Sequence, residues 1–320
     1  MREPPHNRHD LSHHDLQGIL DAIHADVRER VDQADDDGLP APGEKLRGVP
    51  ADRFGMAAVT VEGKVFRTGH AGQRFPIQSV SKVHSLTLAL EAAGGDLWKR
   101  VGREPSGDPF NSLVQLEHEC GVPRNPFINA GAIVVADVLL SHYDDPWAAL
   151  LAFVRVRSGN PDIDIDPEVL AAERAQGHRN IALVNFIRSF GNIHNDIDAV
   201  LDLYFRQCSL RMDCHELARS LGYLADQGRC PFTGETVTSA ERATRINALM
   251  MTCGTYDAAG EFAFHVGLPA KSGVAGAIVA IVPHLMSLCV WSPALDEKGN
   301  SLLGGYALHR FTRMTGLSVF

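Results

Sequence analysis

Apolar residues recur at helical spacing over Leu16, Ile19, Leu20, Ile23, Val27 and Val31, which predicts an amphipathic helix that ends in the acidic, proline-rich loop DQADDDGLPAPGEK. From Met56 to Thr68 the pattern changes. There Glu62-Gly63 separates two short runs rich in Val, Thr and Phe, which predicts a β-hairpin. A second helical repeat, Val83, Leu86, Leu90 and Ala93, runs through FPIQSVSKVHSLTLALEAA (Phe75 to Ala93) and stops at Gly94-Gly95. From Asp96 to Met251 the chain reads as mainly helical with long loops. Ile197, Val200, Leu201 and Tyr204 form one apolar stripe, and Thr238-Ser239-Ala240-Glu241 has the spacing of a capping box. Strand-like runs return at Phe262–Val266, Ala275–Val282 and Met286–Trp291, followed by the turn DEKGN and a last helix from about Leu302 to Met314. Strands near both ends with helices between them predict an α+β fold, an antiparallel sheet built from the N- and C-terminal segments with a largely helical insertion over it. Residues 1–15 then form a flexible tail, 16–95 with 252–320 a sheet lobe, and 96–251 a helical lobe. With no repeat or linker to separate them, the lobes are expected to move as one unit.

Composition narrows the function classes. The 320 residues are 45% hydrophobic, enough for one large core or two modest ones. A net charge of -9 with no basic block argues against nucleic acid as a partner. The six cysteines, Cys120, Cys208, Cys214, Cys230, Cys253 and Cys289, contain no C-x-x-C pair and read as reduced thiols of a cytoplasmic protein. The opening MREPPHNRHDLSHHD has no apolar signal region, and no run reaches membrane-spanning length, so neither secretion nor a membrane partner is expected. His6, His9, His13 and His14 have no cysteine or carboxylate framework beside them and read as a solvated tail rather than a metal tract.

The chemistry begins at Ser79 and Lys82, three residues apart at the start of the second helical repeat, so that both side chains leave one face together. A lysine so placed accepts the serine proton if burial and the helix N-terminus favour its neutral form, which makes Ser79 a candidate nucleophile. The spacing alone is weak, since an N-capping serine followed by a solvated lysine gives the same pattern. Far downstream, Lys271-Ser272-Gly273 stands between strand-like runs. S-x-x-K opening a helix, with a K-[ST]-G strand on the same cleft, resembles the serine β-lactamases and penicillin-binding proteins.

A closer resemblance is carried by FPIQSVSKV, REPSGDPFN, NPFINAGAIVV, the pair ERAQGHRN and LDLYFRQCSL, and CGTYDAAGEFAFHVGLPAKSGVAG. Together these blocks resemble the serine-dependent glutaminases of β-lactamase-like fold, from about Val49 to Trp291 and more loosely to the C-terminus. The resemblance implies hydrolysis of L-glutamine to L-glutamate and ammonia with no metal and no organic cofactor, and a homo-oligomer, dimer or tetramer. It implies Ser79 as nucleophile, Lys82 as its base, and Tyr256 as the group that helps the proton reach the departing ammonia. The backbone N–H groups of Ser79 and Val274 are the implied oxyanion hole. Gln78, Asn129, Glu173, Asn180 and Tyr204, with Ser79, Tyr256 and Val274, are the implied substrate contacts. The chemistry asks for such a set, because a free amino acid carries one cation and one anion that must both be paired.

One position departs from the family pattern. Counting back without a gap from VPADRFG puts Pro42 where the family has a tyrosine in a Y-I-P-x-L segment, and no tyrosine occurs between Met1 and His142. Proline has no hydroxyl to take that part. Three readings therefore stand: an active glutaminase, a related serine amidase acting on another amide or a β-lactam, and a weakened glutaminase-like protein kept for binding or assembly. Singly, several of the named residues also have plain structural readings: Asn129 as a helix cap, Glu173 with Arg174 as a surface pair, Tyr204 as core, Tyr256 as loop packing. His178 and His265 read as structural, since a lysine base is already at hand.

Overall fold

The computed structural model describes residues 15–29, 53–107 and 113–320. Pro42, Val31 and the N-terminal histidines lie outside the described residues. Helix α1 (Leu16–Glu29) is followed by the hairpin β1 (Gly55–Thr60) and β2 (Val65–Gly69), by the short β3 (Phe75–Pro76), and by a 3-10 turn over Gln78–Val80 that runs into α2 (Ser81–Ala93). The helical insertion holds α3 (Leu113–His118), α4 (Asn129–His142), α5 (Pro146–Ser158), α6 (Pro167–Gln176), α7 (His178–Ser189) and α8 (Ile197–Cys208). After these come the short β4 (Arg211–Met212), α9 (Cys214–Ser220) and α10 (Ala240–Cys253). Helix α11 (Ala259–His265), strands β5 (Ala270–Gly273), β6 (Ala277–Val282) and β7 (Met286–Trp291), and α12 (Leu302–Thr315) complete the chain.

The main sheet has the order β2-β1-β7-β6-β5 with antiparallel pairing throughout, so the N-terminal hairpin joins the C-terminal strands edge to edge. Both faces of this sheet are covered. Alternate residues divide cleanly: Ala57, Val59, Val279, Ile281 and Cys289 face the helical insertion, while Met56, Ala58, Ile278, Ala280, Leu288 and Val290 face α1 and α12. That is why AIVAIV reads as an unbroken apolar run instead of alternating with polar residues. Phe75 stacks on Trp291 with ring centroids 5.5 Å apart, tying the segment that leads to Ser79 onto the sheet.

Two local expectations need correction. Phe262–Val266 is not a strand; it belongs to α11 and the turn that ends it, with Val266 N–H donating to the Phe262 carbonyl at 2.8 Å. The apolar Phe262, Phe264, Val266 alternation imitates a strand, yet Phe264 is 83% exposed while Phe262 and Val266 pack on the core, so the three do not share one buried face. The cap of α10 sits one residue later than Thr238. Ser239 accepts from Arg242 N–H at 3.2 Å, while the Thr238 hydroxyl donates to Glu91 at 2.6 Å.

Candidate active site

Ser79 sits in the 3-10 turn that launches α2, at a place where the backbone is forced. Gln78 has φ of 48°, a region that costs a non-glycine residue about 1–3 kcal/mol unless its surroundings hold it. Two contacts do so: Ser81 Oγ donates to the Gln78 carbonyl at 2.7 Å, and Gln78 Nε2 donates to Glu173 Oε1 on α6 at 3.2 Å. The turn thereby presents Ser79 at the mouth of the helix, only 8% exposed.

Lys82 follows one turn later and is buried. Its Nζ donates to the Phe127 carbonyl at 3.1 Å and to Asn129 Oδ1 at 2.8 Å, and lies 5.9 Å from the centre of the Tyr204 ring. Burial pushes Lys82 down to about 8, opposed by Cys208 and Glu173. A lysine in that range is available as a base near neutral pH. His84, two residues on, is also buried; burial pushes its imidazole down to about 3 while Nε2 pairs with Ser220 Oγ at 2.9 Å, so it is a neutral packing group.

Asn129 is the first residue of α4, and its side chain does not cap that helix. Its oxygen takes the Lys82 proton donor and its Nδ2 donates to Asn180 Oδ1 on α7 at 3.0 Å. No side chain caps α4; Asn125 instead holds the turn that leads into it, its Oδ1 accepting from Phe127 N–H and Ile128 N–H at 3.0 and 3.1 Å. The close approach of Asn125 also explains Gly131, since a Cβ there would lie 1.9 Å from the Asn125 carbonyl oxygen.

Tyr256 closes the other side. Its backbone, too, is left-handed, with φ of 55°. Its hydroxyl donates to the Ser272 carbonyl at 3.2 Å and is in hydrogen-bond contact with Ser79; burial raises its pKa, with the Ser79 contact pulling the other way. The turn 296–300 fastens this loop from outside: Asn300 Nδ2 donates to Thr255 O at 3.3 Å and Lys298 Nζ to Asp257 O at 3.1 Å. Tyr204 on α8 is buried, with burial raising its pKa and the Cys208 thiol in contact with its hydroxyl. Beside Tyr256 and Phe127 opens a narrow cleft, also lined by Ser106, Asn125, Ile128, Cys253 and Asp257.

Val274 belongs to the tight turn between β5 and β6, where Gly276 N–H donates to the Gly273 carbonyl at 2.9 Å. That turn packs against the residues that flank the nucleophile, Ile77, Gln78 and Val80. A Cβ at Gly273 would lie 2.7 Å from the Ile77 carbonyl oxygen and 3.5 Å from Gln78 Cβ, so glycine is what lets the K-S-G strand approach Ser79. Gly273→Ala is therefore expected to lower kcat about 10–100-fold by moving the Val274 turn away from Ser79, the penalty of a displacement near 1 Å. Steady-state kinetics beside circular dichroism of the folded variant check this, and an unchanged kcat would show that the turn's position is not critical.

The structure thus gathers Gln78, Ser79, Lys82, Asn129, Glu173, Asn180, Tyr204, Tyr256 and Val274 from elements scattered over the whole chain. His178 lies exposed at the start of α7, and His265 packs its ring against His309 with centroids 5.9 Å apart; neither takes part. One buried group was not assigned a place by the sequence reading: Lys271, whose nitrogen donates to the Gly254 and Ser272 carbonyls. Its signal was a lysine inside the apolar run GLPAKSG.

Three comparisons bear on this arrangement. A family model described as Glutaminase matches residues 42–320. A glutaminase of Rhizobium leguminosarum bv. trifolii is 53% identical over 309 residues, which is 96% of this chain and 99% of that protein. Among solved structures, the probable glutaminase ybaS is similar with a TM-score of 0.85 at 33% identity, over 95% of this chain and 98% of that one. A Bacillus glutaminase gives the same TM-score at 31% identity, over 94% and 99%.

Proposed function

This chain belongs to the glutaminase family, and on that premise we propose that it hydrolyses L-glutamine to L-glutamate and ammonia through an ester on Ser79. Ser79 Oγ gives its proton to neutral Lys82 and bonds to the side-chain amide carbon. The N–H groups of Ser79 and Val274 receive the oxyanion, each such donor being worth about 3 kcal/mol in comparable acyl transfers. Tyr256, placed between Ser79 and the Ser272 carbonyl, relays the proton now held by Lys82 to the amide nitrogen, giving its own and taking that one in return, as the C–N bond breaks and ammonia leaves. Water then cleaves the ester to release glutamate. The observation that supports this reading best is the burial of Lys82 against two oxygen acceptors beside a serine already in contact with Tyr256.

Gln78, Asn129, Glu173, Asn180 and Tyr204 take the substrate's polar ends, with Glu173 pairing the α-ammonium. Glu173→Gln keeps the shape and removes the charge, so KM for glutamine is expected to rise about 10–100-fold with kcat changed much less, the loss of one charge-assisted bond. Steady-state kinetics check it; an equal fall in kcat at constant KM would move Glu173 into the chemistry instead.

Two other readings are disfavoured on particular residues. A β-lactam amidase has no use for Glu173, as a β-lactam carries no free α-ammonium to pair with it. A non-catalytic binder, motivated by Pro42, has no use for a lysine buried at the cost of its charge. The deciding experiment is release of ammonia and glutamate from L-glutamine by the purified protein, with asparagine and a chromogenic β-lactam as controls. Release from glutamine alone upholds the proposal. Saturable glutamine binding without release overturns it in favour of the binder. The six unpaired cysteines support a reducing, cytoplasmic setting. A homo-oligomer, dimer or tetramer, is the assembly to test by light scattering. Among the described residues no helix is long and apolar enough to cross a membrane.

A further inference from the structure

Two groups that the proposed reaction needs at one point stand on separate turns. Val274 belongs to the turn between β5 and β6, and Tyr256 opens a 3-10 turn, Tyr256–Ala258, that follows α10. Tyr256 also has its backbone at φ of 55°, which a non-glycine residue keeps only where its surroundings hold it. A third segment lies against both, the turn 296–300 between β7 and α12. Its shape is closed on itself. Asp296 Oδ1 accepts from Lys298 N–H at 2.8 Å and Asn300 N–H at 2.9 Å, Asp296 N–H donates to the Asn300 carbonyl at 2.8 Å, and Gly299 N–H donates to the Asp296 carbonyl at 3.1 Å. Gly299 stands at φ of 91°, which glycine adopts without strain. Below the turn, Leu295 and Ser301 form an antiparallel bridge. Ser301 Oγ donates to the Ser292 carbonyl at 3.0 Å and caps α12 by accepting from Gly304 N–H at 3.1 Å. The turn is thus rooted at the end of β7 and the start of α12, outside the site itself.

From that root it grips the site at three points. Asn300 Nδ2 and Lys298 Nζ hold the carbonyls of Thr255 and Asp257, the residues on either side of Tyr256. Asn300 is buried and Lys298 exposed, so Asn300 makes the firmer of the two links. Gly299 touches both catalytic turns at once: the position its Cβ would take is 3.6 Å from Val274 Cγ1 and 3.7 Å from Tyr256 Cε2. The turn also bears on the Tyr256 proton. Burial raises that hydroxyl above its ordinary value against the pull of Ser79, and the Asp296 carboxylate adds to the rise, which favours the protonated phenol a relay starts from.

We infer that the turn 296–300 is a clamp that holds the Tyr256 hydroxyl and the Val274 N–H in register, with Asn300 and Gly299 as positioning residues for the chemical step. Asn300 acts through Tyr256, by fixing the left-handed backbone from which its ring projects, and Gly299 acts through both groups. This rests on the glutaminase reading and deepens it. Proton relay and oxyanion hole serve opposite sides of one amide, the nitrogen and the oxygen, so their separation has to match the substrate. A rigid turn touching both sets that separation without meeting the substrate.

The test has two arms. In the first, Asn300→Ala and Gly299→Ala are compared with the wild type on L-glutamine and on the γ-trifluoroethyl ester of L-glutamate, whose leaving alkoxide needs far less help from an acid than an amide nitrogen does. Asn300→Ala should lower kcat for glutamine about 10–100-fold, the penalty of a displacement of about 1 Å, with KM changed by less than about threefold because Glu173 and Asn180 lie on α6 and α7. Its loss on the ester should be much smaller, since the step that Tyr256 serves is nearly dispensable there. Gly299→Ala strains the turn against both groups and should slow the ester too, as the oxyanion forms with either substrate. Equal losses on amide and ester in Asn300→Ala, a fall that lies in KM, or an unchanged ester rate in Gly299→Ala overturns the inference. In the second arm the five tyrosines are replaced by fluorotyrosine and observed by NMR, the Tyr256 signal being the one lost in Tyr256→Phe. That signal should shift in both variants, and one that stays put in folded protein overturns the clamp whatever the kinetics do. The NMR arm needs no turnover. A protein that releases no ammonia while its Tyr256 signal responds as expected would fail as a glutaminase and still bear out the clamp.

Discussion

Ser79→Ala is expected to lower glutamine turnover by at least about 10^4-fold, because removing the nucleophile of a coupled set forfeits nearly all that the set contributes. The variant should remain folded. Ser79 is a small side chain in a 3-10 turn whose shape is held by Ser81 and Gln78, and neither of those contacts involves its hydroxyl. Its loss frees Tyr256 from one hydrogen bond while leaving the bond to the Ser272 carbonyl in place. Glutamine should therefore still bind, and calorimetry with the variant separates binding from turnover. Turnover within tenfold of the wild type would move the nucleophile elsewhere and with it the whole mechanism.

The largest effect on stability is expected at Asp137, far from the chemistry. This carboxylate on α4 is wholly buried and collects an Arg100 guanidinium at 2.5 Å, the backbone N–H groups of His194 and Asn195 at 3.1 and 2.8 Å, and the Asn195 side-chain amide at 2.9 Å. Burial works to raise its pKa. The Arg100 hydrogen bond, then the backbone and side-chain bonds of Asn195 and the Arg100 charge, outweigh it and hold the group below its usual value. Asp137→Ala takes from Arg100 its counter-charge, leaving it only the Asn192 oxygens, and strips two backbone donors of their acceptor, so unfolding free energy should fall by about 3–5 kcal/mol. Denaturant titration at one fixed protein concentration measures it, and a loss under about 1 kcal/mol would show that water replaces the carboxylate at little cost. The pH dependence has a definite sign. A carboxylate whose folded pKa is depressed stabilises the fold fully above its unfolded value and ceases to do so as pH drops through the folded one. The gap between wild type and variant should thus be constant at neutral pH and close in acid, below about pH 4.

Much of the fold was legible because its signals are local. The hairpin about Glu62-Gly63, the β7 strand, α8 from its four-residue stripe and α12 follow directly from periodicity and turn chemistry. The failures share a cause. Phe262–Val266 alternates in hydropathy like a strand, and nothing within five residues says that Phe264 will stand exposed on a helix. At Thr238 the capping pattern fits two neighbouring residues, and it is Glu91, more than a hundred residues away, that engages the Thr238 hydroxyl and leaves Ser239 to cap.

For the site, the sequence by itself supplied the residue types: a serine and a lysine three apart, and the K-S-G triplet whose glycine lets two turns touch. Tertiary structure alone decided the charges. Lys82 and Lys271 are ordinary lysines in sequence, and both are pushed below their ordinary values only because the packing around α2 and β5 buries them. Burial is a property of everything packed around a residue, and so the protonation that drives the chemistry is written in contacts between segments nearly two hundred residues apart.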